Sequence, residues 1–172
     1  MSDMPETMES AMLARWHELT GAQMLQALAD GEVPHGAHHD LLGLRVTGAR
    51  QGAVEETWRP PRQLANFAGS GVHAGYLAMV LDDACCAAGM SHGDRAYPMI
   101  TLSLHLDFLR AVRPGEEYTV HAELVHAGRR RMVANARIVD AEGRTAAQAR
   151  AGVVPDTDFT ERMRNAPEGD AP

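Results

Sequence analysis

The sequence predicts an α+β fold: a long central helix wrapped by a curved, mostly antiparallel sheet of about six strands, with an extra N-terminal helix. Three observations carry that prediction. Residues 69–89, GSGVHAGYLAMVLDDACCAAG, are apolar on nearly every side behind a glycine-rich start, the pattern of a buried helix. Residues 100–109, ITLSLHLDFL, alternate strictly, with Ile100, Leu102, Leu104, Leu106 and Phe108 on one face and Thr101, Ser103, His105 and Asp107 on the other. Further alternating runs follow, separated by short turns, so neighbouring strands are antiparallel.

Taken in order, residues 7–30 carry Met8, Met12, Trp16, Leu19, Met24, Leu25 and Leu28 at three- and four-residue steps, an amphipathic helix that Gly21 divides. Residues 31–40, GEVPHGAHHD, combine turn formers with three histidines and read as a linker. Leu44–Val46 and Ala53–Trp58 are two short strands around a turn at 48–52, and Pro60-Pro61 stops the second. The buried helix covers about 72–88. After the strand at 100–109, Tyr118, Val120, Ala122 and Leu124 alternate, a turn at Gly128 leads to Met132, Ala134, Ala136 and Ile138, and Ala141-Glu142-Gly143 turns into a last strand ending near Val154. The expected organisation is a helical extension and linker over 1–40, a main domain over 41–156 and a frayed tail over 157–172. One helix held against a curved antiparallel sheet is the hotdog arrangement. Its uncovered side needs a partner, so self-association is expected.

Composition narrows the function. With 172 residues, 45% apolar and 23% charged, the chain suits one sizeable core. A formal charge of −7 gives no broad basic field for nucleic acid. The acidic start MSDMPETMES lacks signal-peptide order, and no apolar run reaches the ~20 residues of a membrane span, so a cytoplasmic location is expected, with no membrane partner. Cys85 and Cys86 are adjacent in the helix, where their side chains diverge, which argues against a disulfide.

Gly69-Ser70-Gly71 does not begin a dinucleotide-binding turn, because no buried strand precedes it and the next glycine, Gly75, is one place late. The first turn of a helix does present unpaired backbone N–H groups and a positive dipole end, suited to an oxyanion. Ala74 and Gly75 leave that backbone approachable. Asp82, seven residues on, returns to within ~20° of the Gly75 face, whereas Asp83 turns away. The same spacing separates Gly75 and Asp82 by about 10 Å along the axis, too far for one carbonyl to meet both. Antiparallel pairing of two copies of the helix would bring Asp82 of one to Gly75 of the other, giving two composite sites per dimer.

Asn66, the Gly71-Val72-His73-Ala74-Gly75 turn, Leu81-Asp82, TLSLHLDFLRAVRPGE and DAEGRTAAQA resemble the acyl-CoA thioesterases of the hotdog superfamily, in particular the PaaI-like group of phenylacetic acid degradation. The resemblance spans about 41–154. It implies Asp82 as nucleophile or general base, the Gly75 N–H as the group polarising the thioester carbonyl, Asn66 as a positioner of water or substrate, and Thr101 as a supporting hydroxyl. It also implies acyl-CoA as substrate, a dimer commonly paired again into a tetramer, and no cofactor beyond the coenzyme A of the substrate. Ala74 departs from the pattern, standing where the family has the first glycine of its turn.

His73, Ala74 and Gly71 then line the substrate site. Arg129, Arg130 and Arg131 mark a hairpin turn; a solvated turn is the simpler role, although guanidinium groups suit the phosphates of coenzyme A. Arg62 and Arg110 are weaker versions of the same idea. His35, His38, His39 and Asp40 could ligate a metal, but in a glycine-containing linker without defined spacing they are expected to be solvated, and no metal is expected. Two alternatives stay open beside the thioesterase: a non-catalytic acyl-CoA binder, and a hotdog enoyl-CoA hydratase or dehydratase.

Overall fold

A computed structural model describes residues 18–158. Helix α1 (Gly21–Ala29) begins at Thr20, whose Oγ1 accepts from the Gln23 N–H while the Gln23 side chain accepts from the Thr20 N–H. The division expected at Gly21 is therefore a capped helix start; the earlier part of the anticipated helix lies outside the described residues. Gly21 packs against the carbonyl of Met90, where any β-carbon would overlap the backbone, and its N–H donates to Gly93 O at 3.1 Å. Met24, Ala27, Val33 and Ala96 form a small buried cluster beneath α1. Helix α1 is thus fastened to the main body.

The stretch read as a linker contains a second helix, α2 (Ala37–Leu42), ended by Gly43 in the left-handed region at φ 70°. Leu42 is fully buried, and its carbonyl accepts the Trp58 indole N–H at 2.9 Å. Burying Leu42 and satisfying that indole draw the histidine-rich segment onto the fold.

Six strands follow: β1 (Leu44–Arg50), β2 (Ala53–Trp58), β3 (Met99–Phe108), β4 (Tyr118–Ala127), β5 (Met132–Val139) and β6 (Thr145–Pro155). Their order is β1-β2-β4-β5-β6-β3, with every pairing antiparallel. The first hairpin is tighter than expected, because β1 runs on to Arg50 and the turn needs only Gln51 and Gly52, the latter at φ 76°. Helix α3 (Ala74–Ser91) connects β2 to β3 at the far edge and lies across the sheet. Leu77, Val80, Leu81, Ala84, Cys85 and Ala88 bury against Val120, Ala134, Ile138, Ala151 and Val153. This is the hotdog fold, built on one apolar core. Among the described residues, no helix is long and apolar enough to cross a membrane.

Strand β3 departs from its predicted single apolar face. Thr101 pairs with Val153 but Ser103 pairs with Gly152, so Leu102 is an extra residue in a β-bulge. The bulge exchanges the faces. Thr101 points to α3 before it, and Leu104 and Leu106 pack on the core after it, while Ile100 and Leu102 are about half exposed along the sheet edge.

Candidate active site

The chemistry suggested by the sequence gathers along one stripe of α3. Gly75, Met79, Asp82 and Cys86 recur at steps of four, three and four, within about 60° of one another around the axis. None of the four is buried, whereas Leu77, Val80, Leu81, Ala84 and Cys85 are. The sheet and, over Asp83, α2 of the same chain cover most of the rest of the helix and leave this stripe open.

At the centre of the stripe the Thr101 hydroxyl donates to Asp82 Oδ1 at 2.8 Å. Cys86 Sγ lies 3.3 Å from the same hydroxyl oxygen, so helix and strand share a short polar chain. The bulge makes this possible by turning Thr101 inward from an edge strand. Burial pushes the Cys86 thiol up to about 11 against the opposing Thr101 hydrogen bond, so it stays a neutral thiol and is no competing nucleophile. The buried Cys85 is held at about 12, again mainly by burial, and both cysteines are free.

His73 is the N-cap of α3, and its Nδ1 accepts the Gly75 N–H at 3.0 Å. The donor expected to meet a carbonyl is thus capped by the neighbouring imidazole, which lies on the exposed rim with Ala74 and Gly75. Gly71 is held close to the Val112 carbonyl, and Val72 N–H donates to that same oxygen at 2.8 Å. Asn66 closes the preceding loop: its Oδ1 accepts the Ser70 N–H at 3.2 Å, and its own N–H donates to Gly71 O at 2.7 Å. One chain therefore assembles Asn66, Gly71, His73, Ala74 and Gly75 at the helix start and pairs Asp82 with Thr101 two turns further on.

Arg129 and Arg130 stand exposed on the β4–β5 hairpin. Arg131 instead reaches across Gly152 to donate to Ser103 Oγ at 2.7 Å, with its guanidinium where a Gly152 side chain would be. Arg62 is exposed, and Arg110 donates to the Thr145 carbonyl at 2.6 Å. On the outer face of the sheet, Asp107 accepts from Gln148 at 3.0 Å and His105 is exposed.

The other acid of the pair lies on the opposite side of the stripe, and here the sequence-based expectation of solvated histidines fails for His39, while His38 stays exposed. His38 Nε2 is 3.0 Å from Asp83 Oδ1, and His39 Nε2 is 3.3 Å from Asp83 Oδ2. His39 is only 8% exposed, because α2 lies on the body of the protein rather than in a loop. Burial works against the charge of Asp83, but the hydrogen bonds from His38 and His39 outweigh it and hold the carboxyl at about 2. The same contact raises His38. Glu56, on the inward face of β2 between Val54 and Trp58, is fully buried, and neither carboxylate oxygen has a hydrogen-bond partner. Burial, then the charge of Asp83, push its carboxyl well above the usual range. Sequence reading passed over Glu56, although its alternation with Val54 and Trp58 places it on the apolar face. It also missed Cys86, which the spacing from Asp82 would have found.

Residues 69–147 match the family model of the thioesterase superfamily. No curated protein matches the chain. Among solved structures the chain is similar to the Escherichia coli PaaI protein of the phenylacetic acid degradation operon, with a TM-score of 0.68 and 23% identity over 78% of this chain and 94% of that one. It is also similar to a hypothetical thioesterase protein of Streptococcus pneumoniae solved with coenzyme A, at a TM-score of 0.61 and 26% identity over 66% and 88% of the two chains. A third likeness is to the conserved protein PA5202 of Pseudomonas aeruginosa, at a TM-score of 0.63 and 27% identity over 70% and 94%.

Proposed function

We propose that this hotdog-fold chain, matched to the thioesterase superfamily over residues 69–147, is an acyl-CoA thioesterase that converts R–CO–S–CoA and water to R–COOH and CoA–SH. The observation that carries the proposal is the open stripe of α3, on which Asp82 is oriented by the Thr101 hydroxyl while the chain's own sheet and α2 cover most of the rest of the helix. A carboxylate aimed by one hydrogen bond and left partly exposed can attack a thioester or take a proton from water. The coenzyme A bound to the pneumococcal neighbour supports the same ligand class.

In this proposal the site is completed by a second copy. Asp82 is about 10 Å along the axis from Gly75 of its own helix, so the helix start that meets its substrate belongs to a partner. Exposed Met79 on the stripe and Ile100 and Leu102 on the adjoining sheet edge supply apolar surface for that association. The partner's Gly75 N–H would exchange the His73 imidazole for the thioester oxygen as charge develops there, stabilising the tetrahedral intermediate. Asn66 orders the loop before the helix, and Arg129 and Arg130 are free to meet the nucleotide phosphates of coenzyme A.

The His73 cap on Gly75 favours one other possibility, an acyl-CoA binder without turnover, since the donor is already satisfied. Free thiol released from a panel of aryl- and alkyl-CoA esters distinguishes the two. Turnover by the wild type, reduced at least a hundredfold in a folded Asp82→Asn variant, is the expected result. Saturable binding of every ester with no thiol release would establish the binder.

A further inference from the structure

We propose that His38, His39 and Asp83 form a binding site for a divalent transition-metal ion of the zinc class, on the side of α3 away from the thioesterase stripe. The proposal does not depend on the function assigned to that stripe.

Geometry is the first argument. One ligand atom from each of the three residues lies within 4.8 Å of the other two, and the Nε2 atoms of His38 and His39 are 3.0 and 3.3 Å from the two oxygens of Asp83. Four ligands at about 2.0–2.1 Å around a tetrahedral zinc ion are separated from one another by about 3.3–3.4 Å. With one oxygen of Asp83 as the ligand, each Nε2 already lies near that edge length from one or the other oxygen of the same carboxylate, so closing the set needs a modest rotation of the carboxylate and imidazoles. Two imidazoles and one carboxylate are a donor set suited to zinc, cobalt or iron(II), and they leave coordination positions open.

Unsatisfied polar groups supply the second, independent argument. Among the described residues the buried side-chain atoms without a hydrogen-bond partner are His39 Nδ1 and both carboxylate oxygens of Glu56. All belong to the neighbourhood of Asp83: His39 contacts it, and Glu56 feels its charge. The imidazoles hold Asp83 but give no hydrogen bond to either Glu56 oxygen, and Glu56 stays raised by burial and by the charge of Asp83. A divalent cation between Asp83 and the two imidazoles would offset the charge of both carboxylates. Binding through His39 Nε2 also fixes the proton on Nδ1, and metal-bound histidines hand that proton to a carboxylate in the surrounding shell.

Neighbouring groups limit the set to these residues. Asp40 is committed to Arg45, and His35 Nε2 accepts the Val46 N–H at 3.1 Å. Access comes from the solvent side through His38, whose side chain is 45% exposed, against 10% for His39 and 21% for Asp83.

Titration of tag-free, chelator-treated full chain with Co²⁺, followed by displacement with Zn²⁺, tests the proposal. One equivalent of Co²⁺ should bind with visible d–d bands of a four- or five-coordinate site, and one equivalent of Zn²⁺ should abolish them. His38→Ala, a change at an exposed side chain, and the near-isosteric Asp83→Asn should each weaken binding about a hundredfold or more, since even groups that only support a ligand are worth 10- to 100-fold. Absence of saturable one-to-one binding would overturn the proposal. So would binding unchanged in both variants, which would assign the ion to other residues.

Discussion

Asp82 and Asp83 are consecutive residues of one helix, about 100° apart around its axis, and they inhabit different chemistries. Asp82 has one side-chain partner, the neutral Thr101 hydroxyl, on a stripe that the chain leaves open. Asp83 is held by two imidazoles under a helix that the chain itself supplies, beside a second, fully buried acid. A carboxylate held by histidines is fixed in charge and place, while one held by a single hydroxyl keeps lone pairs for a reaction. In the proposed function the contrast separates a reactive acid from one that is held fixed, and it comes from which element covers which side of α3.

The largest expected effect is on the open side, where Asp82→Asn should reduce thioester hydrolysis by 10²- to 10⁴-fold with its unfolding midpoint nearly unchanged. Thr101→Val should come next, with kcat reduced about tenfold and KM little altered, because the hydroxyl orients the acid without holding the substrate; Thr101→Ser should restore most of the rate. On the closed side, Asp83→Asn should act mainly on folding, lowering the unfolding free energy by about 1–2 kcal/mol through its weakened histidine contacts. Asp83→Asn abolishing turnover at undiminished stability would erase the contrast.

The smallest effect has a definite pH dependence. Glu56 is raised above its ordinary 4.5 in the folded chain, by burial first and by Asp83 second, so its stabilising contribution is complete below 4.5 and is lost as pH rises through the folded value. Glu56→Gln should therefore raise the unfolding midpoint at neutral pH by a few degrees and bring no gain at pH 4. Thermal unfolding of both proteins at the two pH values measures the difference, and equal midpoints at neutral pH would mean that Glu56 has a partner when the chain folds in solution.

Much of the fold could be read from the sequence because its signals are local. The alternation of Tyr118, Val120 and Ala122, and of Ala134, Ala136 and Ile138, reports strands whose inner faces do bury. The apolar run after Gly71 similarly reports a helix with its axis inside the core. Helical spacing also made legible that Gly75 and Asp82 share a face, and the family resemblance pointed to Thr101, which the fold sets against Asp82. What escaped prediction depends on contacts distant in the chain. His38 is 45 residues from Asp83, and nothing in GEVPHGAHHD reveals that Leu42 and the Trp58 indole will pull the segment into a helix against the body. Glu56 was hidden for a different reason: a single acid in a strand reads as solvent-facing until the alternation of its neighbours is given precedence over its charge.

The bulge at Leu102 joins two halves of β3 that answer to different requirements. The first half delivers a hydroxyl to Asp82, and the second delivers Leu104 and Leu106 to the core. Substitutions at Leu102 leave that phase relation intact, whereas removal of the residue puts the halves in step and forces either the threonine or the leucines onto the wrong face. The strand is thus more tolerant of a changed letter at this position than of a missing one. Among chains sharing this site, length between the threonine and the core leucines should vary less than the identity of the residue between them.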